Sequence, residues 1–174
     1  INSVSLVKEF YNKISKSENT FINQFEDKLK NKVPVFDKKT FTHVAYKEVR
    51  YHHVLDDLLH FDNEIKVVGI IRNPLATINS WHNAPKEFRK DLGWDLQKEW
   101  LLAPSKNMNK IEEYNGYYKW KEVALRFEDL KNKYPKNFYL ICYKDLLYNT
   151  LKEVKSVFNF CEIPLNIQTI NFIN

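Results

Sequence analysis

Glycine is scarce in these 174 residues: only Gly69, Gly93 and Gly116 occur, isolated from one another. A phosphate loop of the P-loop or dinucleotide type needs several glycines in a short span, so this chain cannot build one. Cysteine is rarer still, with Cys142 inside an apolar strand-like run and Cys161 at an apolar helix end. Thiols in such surroundings read as buried groups in a reducing, cytoplasmic compartment, not as a disulfide framework or a nucleophile. Long apolar runs are absent; a stretch such as Val67-Val68-Gly69-Ile70-Ile71 falls far short of the roughly 18–20 residues that a membrane span needs. The start, Ile1-Asn2-Ser3-Val4-Ser5, has neither the basic nor the apolar region of a signal peptide, and a true start removed by processing or truncation is expected.

What is present points to one soluble globular domain over residues 1–174. Apolar residues make up 44%, aromatics 15% and charged residues 28%, which supplies both a core and a wet surface and excludes disorder or low-complexity architecture. Lys and Arg number 27 against 22 Asp and Glu, a net charge of +5. That balance favours an anionic partner but is spread too thinly along the chain to indicate nucleic acid.

Apolar spacing predicts the elements. Leu6, Phe10 and Ile14, then Phe21, Phe25 and Leu29, recur at intervals of four and predict a helix over 3–31 that Val33-Pro34 closes. Thr42 to Tyr46 predicts a short strand, and a helix runs on to His60. Lys66 to Ile71 is continuous and β-branched, as in a strand buried on both faces of a parallel sheet. Asn73-Pro74 is a helix start, with Asn as N-cap and Pro at the first helical position, and the helix runs to about Trp81. Further helical pieces are expected at 87–104 and 108–134, a second buried strand at 137–143, and an amphipathic helix at 150–160. Alternating strands and helices predict an α/β layered fold with a parallel sheet flanked by helices.

The informative unit is Lys66 to Trp81. Ligands of open α/β sheets bind beyond the carboxyl ends of strands, beside helix N-termini, and Arg72 stands at that position. Steps of four and three from Asn73 reach Thr77 and Ser80, which puts three hydrogen-bonding side chains on one helix face, while Leu75, Ile78 and His82 point to the core. A guanidinium eight residues before a serine hydroxyl offers a phosphate one charged, bidentate contact and one neutral contact. His53, Asp57 and His60 share a helix face, but the adjacent histidines diverge and no cysteine joins them, so no metal site is expected.

The segment KVVGIIRNPLATINSW, residues 66–81, resembles the 3′-phosphate-binding strand and helix of sulfotransferases that use 3′-phosphoadenosine 5′-phosphosulfate. Residues 137–165 are similar to that family's later strand and helix, and Tyr46 to Leu59 to a segment of its carbohydrate (Gal/GlcNAc 6-O) branch. The resemblance implies a P-loop-NTPase-like sulfotransferase fold, a nucleotide co-substrate, no metal, and transfer of a sulfuryl group to a hydroxyl, with a carbohydrate as the expected acceptor. It assigns Arg72 and Ser80 to the 3′-phosphate, with Asn73 and Thr77 beside them, and Tyr143 to the adenine. Lys47, 25 residues before Arg72, would offset charge on the transferring group. Glu48, His52 or His53 would serve as general base. The family's 5′-phosphosulfate loop has no counterpart, because residues 1–45 contain no glycine. The expectation is therefore either an N-terminally truncated enzyme or a non-catalytic remnant that keeps the fold as an interaction module.

Overall fold

The structure is a computed structural model that describes residues 3–20, 24–30 and 43–173. It divides into two compact units, 1–48 and 49–174. In the first, α1 (Ser3–Ser15) and α2 (Phe25–Leu29) replace the single helix expected over 3–31. The break follows from local chemistry: the Ser17 hydroxyl accepts the Asn19 N–H at 3.2 Å, a side-chain bond that competes with the helical ladder. Val33, Pro34 and Thr42 lie outside the described residues. Among the described residues, His43 to Tyr46 do not join the strand pair and have no strand conformation; Tyr46 sets its ring 6.2 Å from Phe10 and 6.5 Å from Tyr11.

The second unit is built around two parallel strands. A short 3-10 turn, His52–Val54, leads into α3 (Leu55–Phe61), followed by β1 (Val67–Ile71) and α4 (Pro74–His82). Two single-turn helices follow, α5 (Leu96–Glu99) and α6 (Pro104–Asn107), then the long α7 (Tyr117–Lys133) and β2 (Phe138–Cys142). The chain closes with α8 (Tyr143–Tyr148), α9 (Thr150–Phe160) and α10 (Ile167–Ile173). β1 and β2 pair in register from Val67 with Phe138 to Ile71 with Cys142. The expected parallel α/β arrangement and the helices at 74–82 and 150–160 are therefore present.

The core forms where α3 and α7 cover one face of this pair. Leu59, Phe127, Leu130 and Phe138 are buried there, with Leu55, Ile65, Val67, Ile71 and Val123 packed around them. Burying a side chain of this size contributes roughly 1.5–3 kcal/mol. Gly69 is what allows the two phenyl rings to approach the strand, because a Cβ there would stand 2.8 Å from Phe138 and 2.9 Å from Phe127. The opposite face of β1 is open: Ile70 is 51% exposed, which corrects the expectation of a strand buried on both faces. Cys142 is likewise exposed, not buried, while Cys161 is half-buried and desolvation raises its thiol pKa.

Two long helical expectations are shortened by backbone geometry. Met108 and Asn109 take left-handed φ values of 46° and 56°, and Gly116 one of 85°, so α7 begins only at Tyr117. Ile111 and Tyr118, expected in the core, are exposed. In the 87–104 region the chain is held by buried polar groups more than by helix. Glu99 accepts from Ser105 Oγ at 2.6 Å, and the Asn107 amide donates to the carbonyls of Leu102 and Asn115 at 2.8 and 2.9 Å. Asn115 also donates to Glu113, which pairs with Arg50 at 3.2 Å. Satisfied buried networks of this kind rigidify an irregular loop.

Candidate functional site

The in-register ends of β1 and β2 place Arg72 and Tyr143 side by side as the first residues beyond the sheet. The Arg72 guanidinium carbon lies 5.0 Å from the Tyr143 ring centroid, within range of a cation–π contact that leaves the guanidinium edge able to donate. Arg72 is exposed and has no carboxylate partner among the described residues. An uncompensated guanidinium beside an aromatic face, at the carboxyl ends of parallel strands, is suited to a phosphate.

Of the three polar side chains on this face of α4, two are spent on the helix itself. Asn73 Oδ1 accepts the N–H groups of Leu75 and Ala76 at 3.0 and 3.3 Å, as an N-cap does. Thr77 Oγ1 donates to the Asn73 carbonyl at 3.0 Å. Ser80, on the same face, is exposed, and its hydroxyl makes no hydrogen bond to the described residues. Of the trio read from the sequence, Ser80 is the one whose hydroxyl is uncommitted among the described residues, whereas Asn73 and Thr77 bond within the β1–α4 junction. Leu75, expected to point inward, is 72% exposed; Ile78 is buried, and His82 packs edge-on to Phe88.

Beside this junction lies a cavity of about 160 Å³, lined by the rings of His52, Trp81, Tyr114 and Trp120 together with non-aromatic residues such as Thr77, Ile78 and Val123. His52 sits 4.9 Å from the Tyr114 ring and edge-on to Phe127 at 5.5 Å. Burial pushes the Tyr114 phenol above its ordinary pKa, so it stays a neutral O–H donor at pH 7. The Trp81 indole N–H and His53 Nδ1 are buried with no hydrogen-bond partner. The Trp120 indole donates to the Arg72 carbonyl at 3.0 Å, tying α7 to the end of β1. Lys47 and Glu48 belong to the first unit, where both are exposed in the non-helical segment after Tyr46. Among the described residues, no group of three His, Cys, Asp or Glu side chains gathers as metal ligands would.

A known family matches nearly the whole chain: the family model for the sulfotransferase domain covers residues 5–173. The chain belongs to the sulfotransferase domain family. Domains of this family transfer a sulfuryl group, generally from a nucleotide sulfate donor, to an acceptor. No curated protein and no solved structure matches the chain. No helix among the described residues of this sulfotransferase domain is long and apolar enough to cross a membrane.

The sequence pattern pointed to Arg72, Ser80 and Tyr143 but not to the tie that steadies them. Trp120 reads as one more apolar position of a helix, and its bond to Arg72 spans 48 positions. The signal that could have drawn attention to it is local: four rings, Tyr114, Tyr117, Tyr118 and Trp120, crowd the start of α7.

Proposed function

We propose that this chain binds 3′-phosphoadenosine 5′-phosphosulfate and transfers its sulfuryl group to an acceptor hydroxyl. The observation that supports the reading most directly is the Arg72 guanidinium over Tyr143, without a carboxylate partner among the described residues and one residue before a capped helix that also bears the exposed Ser80. Arg72 and Ser80 hold the 3′-phosphate, Tyr143 flanks the adenine, and Asn73 and Thr77 position Arg72. In the transfer, the acceptor oxygen forms a bond to sulfur as the bond from sulfur to the 5′-phosphate oxygen breaks, and 3′,5′-adenosine diphosphate leaves. His52, facing the cavity beside Thr77, takes the acceptor proton, with Glu48 as the other candidate base, and Lys47 offsets charge on the transferring oxygens. The resemblance of Tyr46 to Leu59 to the carbohydrate branch makes a sugar hydroxyl the first acceptor to try. Free thiols at Cys142 and Cys161 are in keeping with a reducing compartment such as the cytoplasm.

A second reading has its own observation. The first glycine is Gly69, so residues ahead of β1 offer no glycine turn to cradle a 5′-phosphosulfate, and a chain that binds nucleotide without turning it over fits that composition. Titration calorimetry with 3′,5′-adenosine diphosphate tests the part both readings of Arg72 share. Wild-type chain is expected to bind, and Arg72→Ala to bind at least tenfold more weakly, from the loss of about 1.5–3 kcal/mol in charge-assisted hydrogen bonds. Equal affinities in the two proteins remove Arg72 from the site. Sulfuryl transfer from 3′-phosphoadenosine 5′-phosphosulfate to an acceptor, measured alongside, separates the enzyme from the binder.

A further inference from the structure

The long helix α7 carries apolar side chains on two opposite sides. Val123, Phe127 and Leu130 turn inward and belong to the core beside the strand pair. On the outer side Leu125 is 63% exposed, and Tyr118, two turns earlier on the same stripe, is exposed as well. Asn132, two turns later, continues the stripe and is also exposed. An exposed leucine alone signifies little; the order of charges around this one is what gives it a partner.

Leu125 is the middle residue of α7, with as many helical residues before it as after. Lys121 lies four residues before it, and Glu128 and Asp129 lie three and four after, all exposed. Lys121 and Asp129 make no ion pair among the described residues. Glu128 meets Lys131 at 3.6 Å with both side chains about half exposed, a tie of little strength. The stripe is therefore complementary to itself read backwards. Where two copies of α7 cross antiparallel, Leu125 meets Leu125 on the two-fold axis, and Lys121 of each copy stands across from Glu128 and Asp129 of the other. A parallel crossing instead sets Lys121 on Lys121 and Glu128 on Glu128, so charge selects the antiparallel one. Glu122 borders the stripe, and its charge is offset within its own helix by Lys119 at 2.7 Å and Arg126 at 3.5 Å.

We propose that the outer face of α7 is a docking surface for a second copy of this chain, an antiparallel helix pair centred on Leu125. A patch that contacts itself across a two-fold axis closes at two copies. A helix of 17 residues is roughly 25 Å long, and one such pair lies at the small end of interface sizes, below about 1,200 Å² in total, where contacts are weak and transient. The pairing does not draw on Trp120, whose indole bonds to the Arg72 carbonyl from the inner side of the helix, so it stands apart from the reading of Arg72 as a phosphate-binding group.

Sedimentation velocity of the full chain over a roughly hundredfold range of concentration tests this by mass action. The wild-type chain is expected to pass from monomer to dimer, with no larger species. Leu125→Glu sets two carboxylates at the axis, and Lys121→Glu opposes carboxylates on both sides of it; each is expected to raise the dissociation constant by about tenfold or more. Glu128→Lys combined with Asp129→Lys opposes lysines and is expected to weaken the dimer in the same way. Mixing that double variant with Lys121→Glu makes every charged contact complementary again, so the mixture should pair as wild type does while neither component does alone. A misfolded variant could not give that rescue. A wild-type chain that stays monomeric throughout overturns the inference. A dimer kept by both Leu125→Glu and Lys121→Glu also overturns it, because the contact then lies on another face, and a mixture that fails to pair overturns the antiparallel arrangement.

Discussion

At Gly69 a missing side chain decides how close the core can come to the sheet. The phenyl rings of Phe127 and Phe138 lie 5.3 Å apart and both press on the space a Cβ would fill, at 2.9 and 2.8 Å. Neither ring has room to retreat, because Phe138 and Phe127 are themselves in the buried cluster. Gly69→Ala is therefore expected to destabilise by about 1–3 kcal/mol through overpacking, despite the better strand propensity of alanine. Urea denaturation measures it as a lower midpoint with an unchanged slope. A midpoint equal to that of wild type would mean that the rings move aside freely and that the contact does not define the packing. Arg72 shows the opposite economy at the same scale: it is exposed, stabilises little, and owes its place to what holds its carbonyl.

At the scale of the element, α4 is the best-specified piece of the chain. Asn73 caps it with two hydrogen bonds, and Pro74 occupies the first turn, where a missing N–H costs nothing. Asn73→Ala should cost about 1 kcal/mol of stability, and Asn73→Asp should restore most of it, because either side chain accepts the same N–H groups. Thermal unfolding of the three proteins checks this; an alanine variant as stable as wild type would show that α4 is held by packing on α7 alone. The same local completeness made β1, Arg72 and α4 legible from sequence. A β-branched run, a cap and a proline all point to one geometry within a few residues. Helices at 3–31 and 108–134 were overextended for the converse reason. Apolar spacing continues through Ser17, Met108 and Gly116, while a side-chain hydrogen bond and left-handed backbone end the helices there. Tertiary ties leave no such trace, so Trp120 joined to Arg72, and His52 brought to the cavity wall, emerge only from the folded chain.

At the scale of the whole molecule, stability is unevenly distributed. Every buried hydrophobic residue of the described chain, from Leu59 to Ile141, falls within 49–174. Within 1–48, Leu6, Phe10, Phe25 and Leu29 are exposed, so these four positions of the apolar stripe that predicts those helices are not buried. Short helices gain most of their stability from burying one face, and α1 with 13 residues is near the length at which an isolated helix is marginal. Surface ties such as Lys133 to Asp56, at 2.7 Å with both side chains about half exposed, add little. Amide hydrogen exchange on the full chain should therefore resolve two populations. The amides of β1, β2 and the Phe127–Leu130 turn of α7 should exchange only through global unfolding, whereas those of α1 and α2 exchange through local opening at orders of magnitude faster rates. Adding 3′,5′-adenosine diphosphate should slow the first set, since a ligand held at Arg72 stabilises the unit that contains it, and leave α1 as it was. Equal protection across the chain would show one cooperative unit and would attach the segment bearing Lys47 and Glu48 energetically to the strand pair. Protection of α1 that rises with nucleotide would go further, because it would mean that the ligand reaches residues of 1–48 and that Lys47 is within the influence of the bound phosphate.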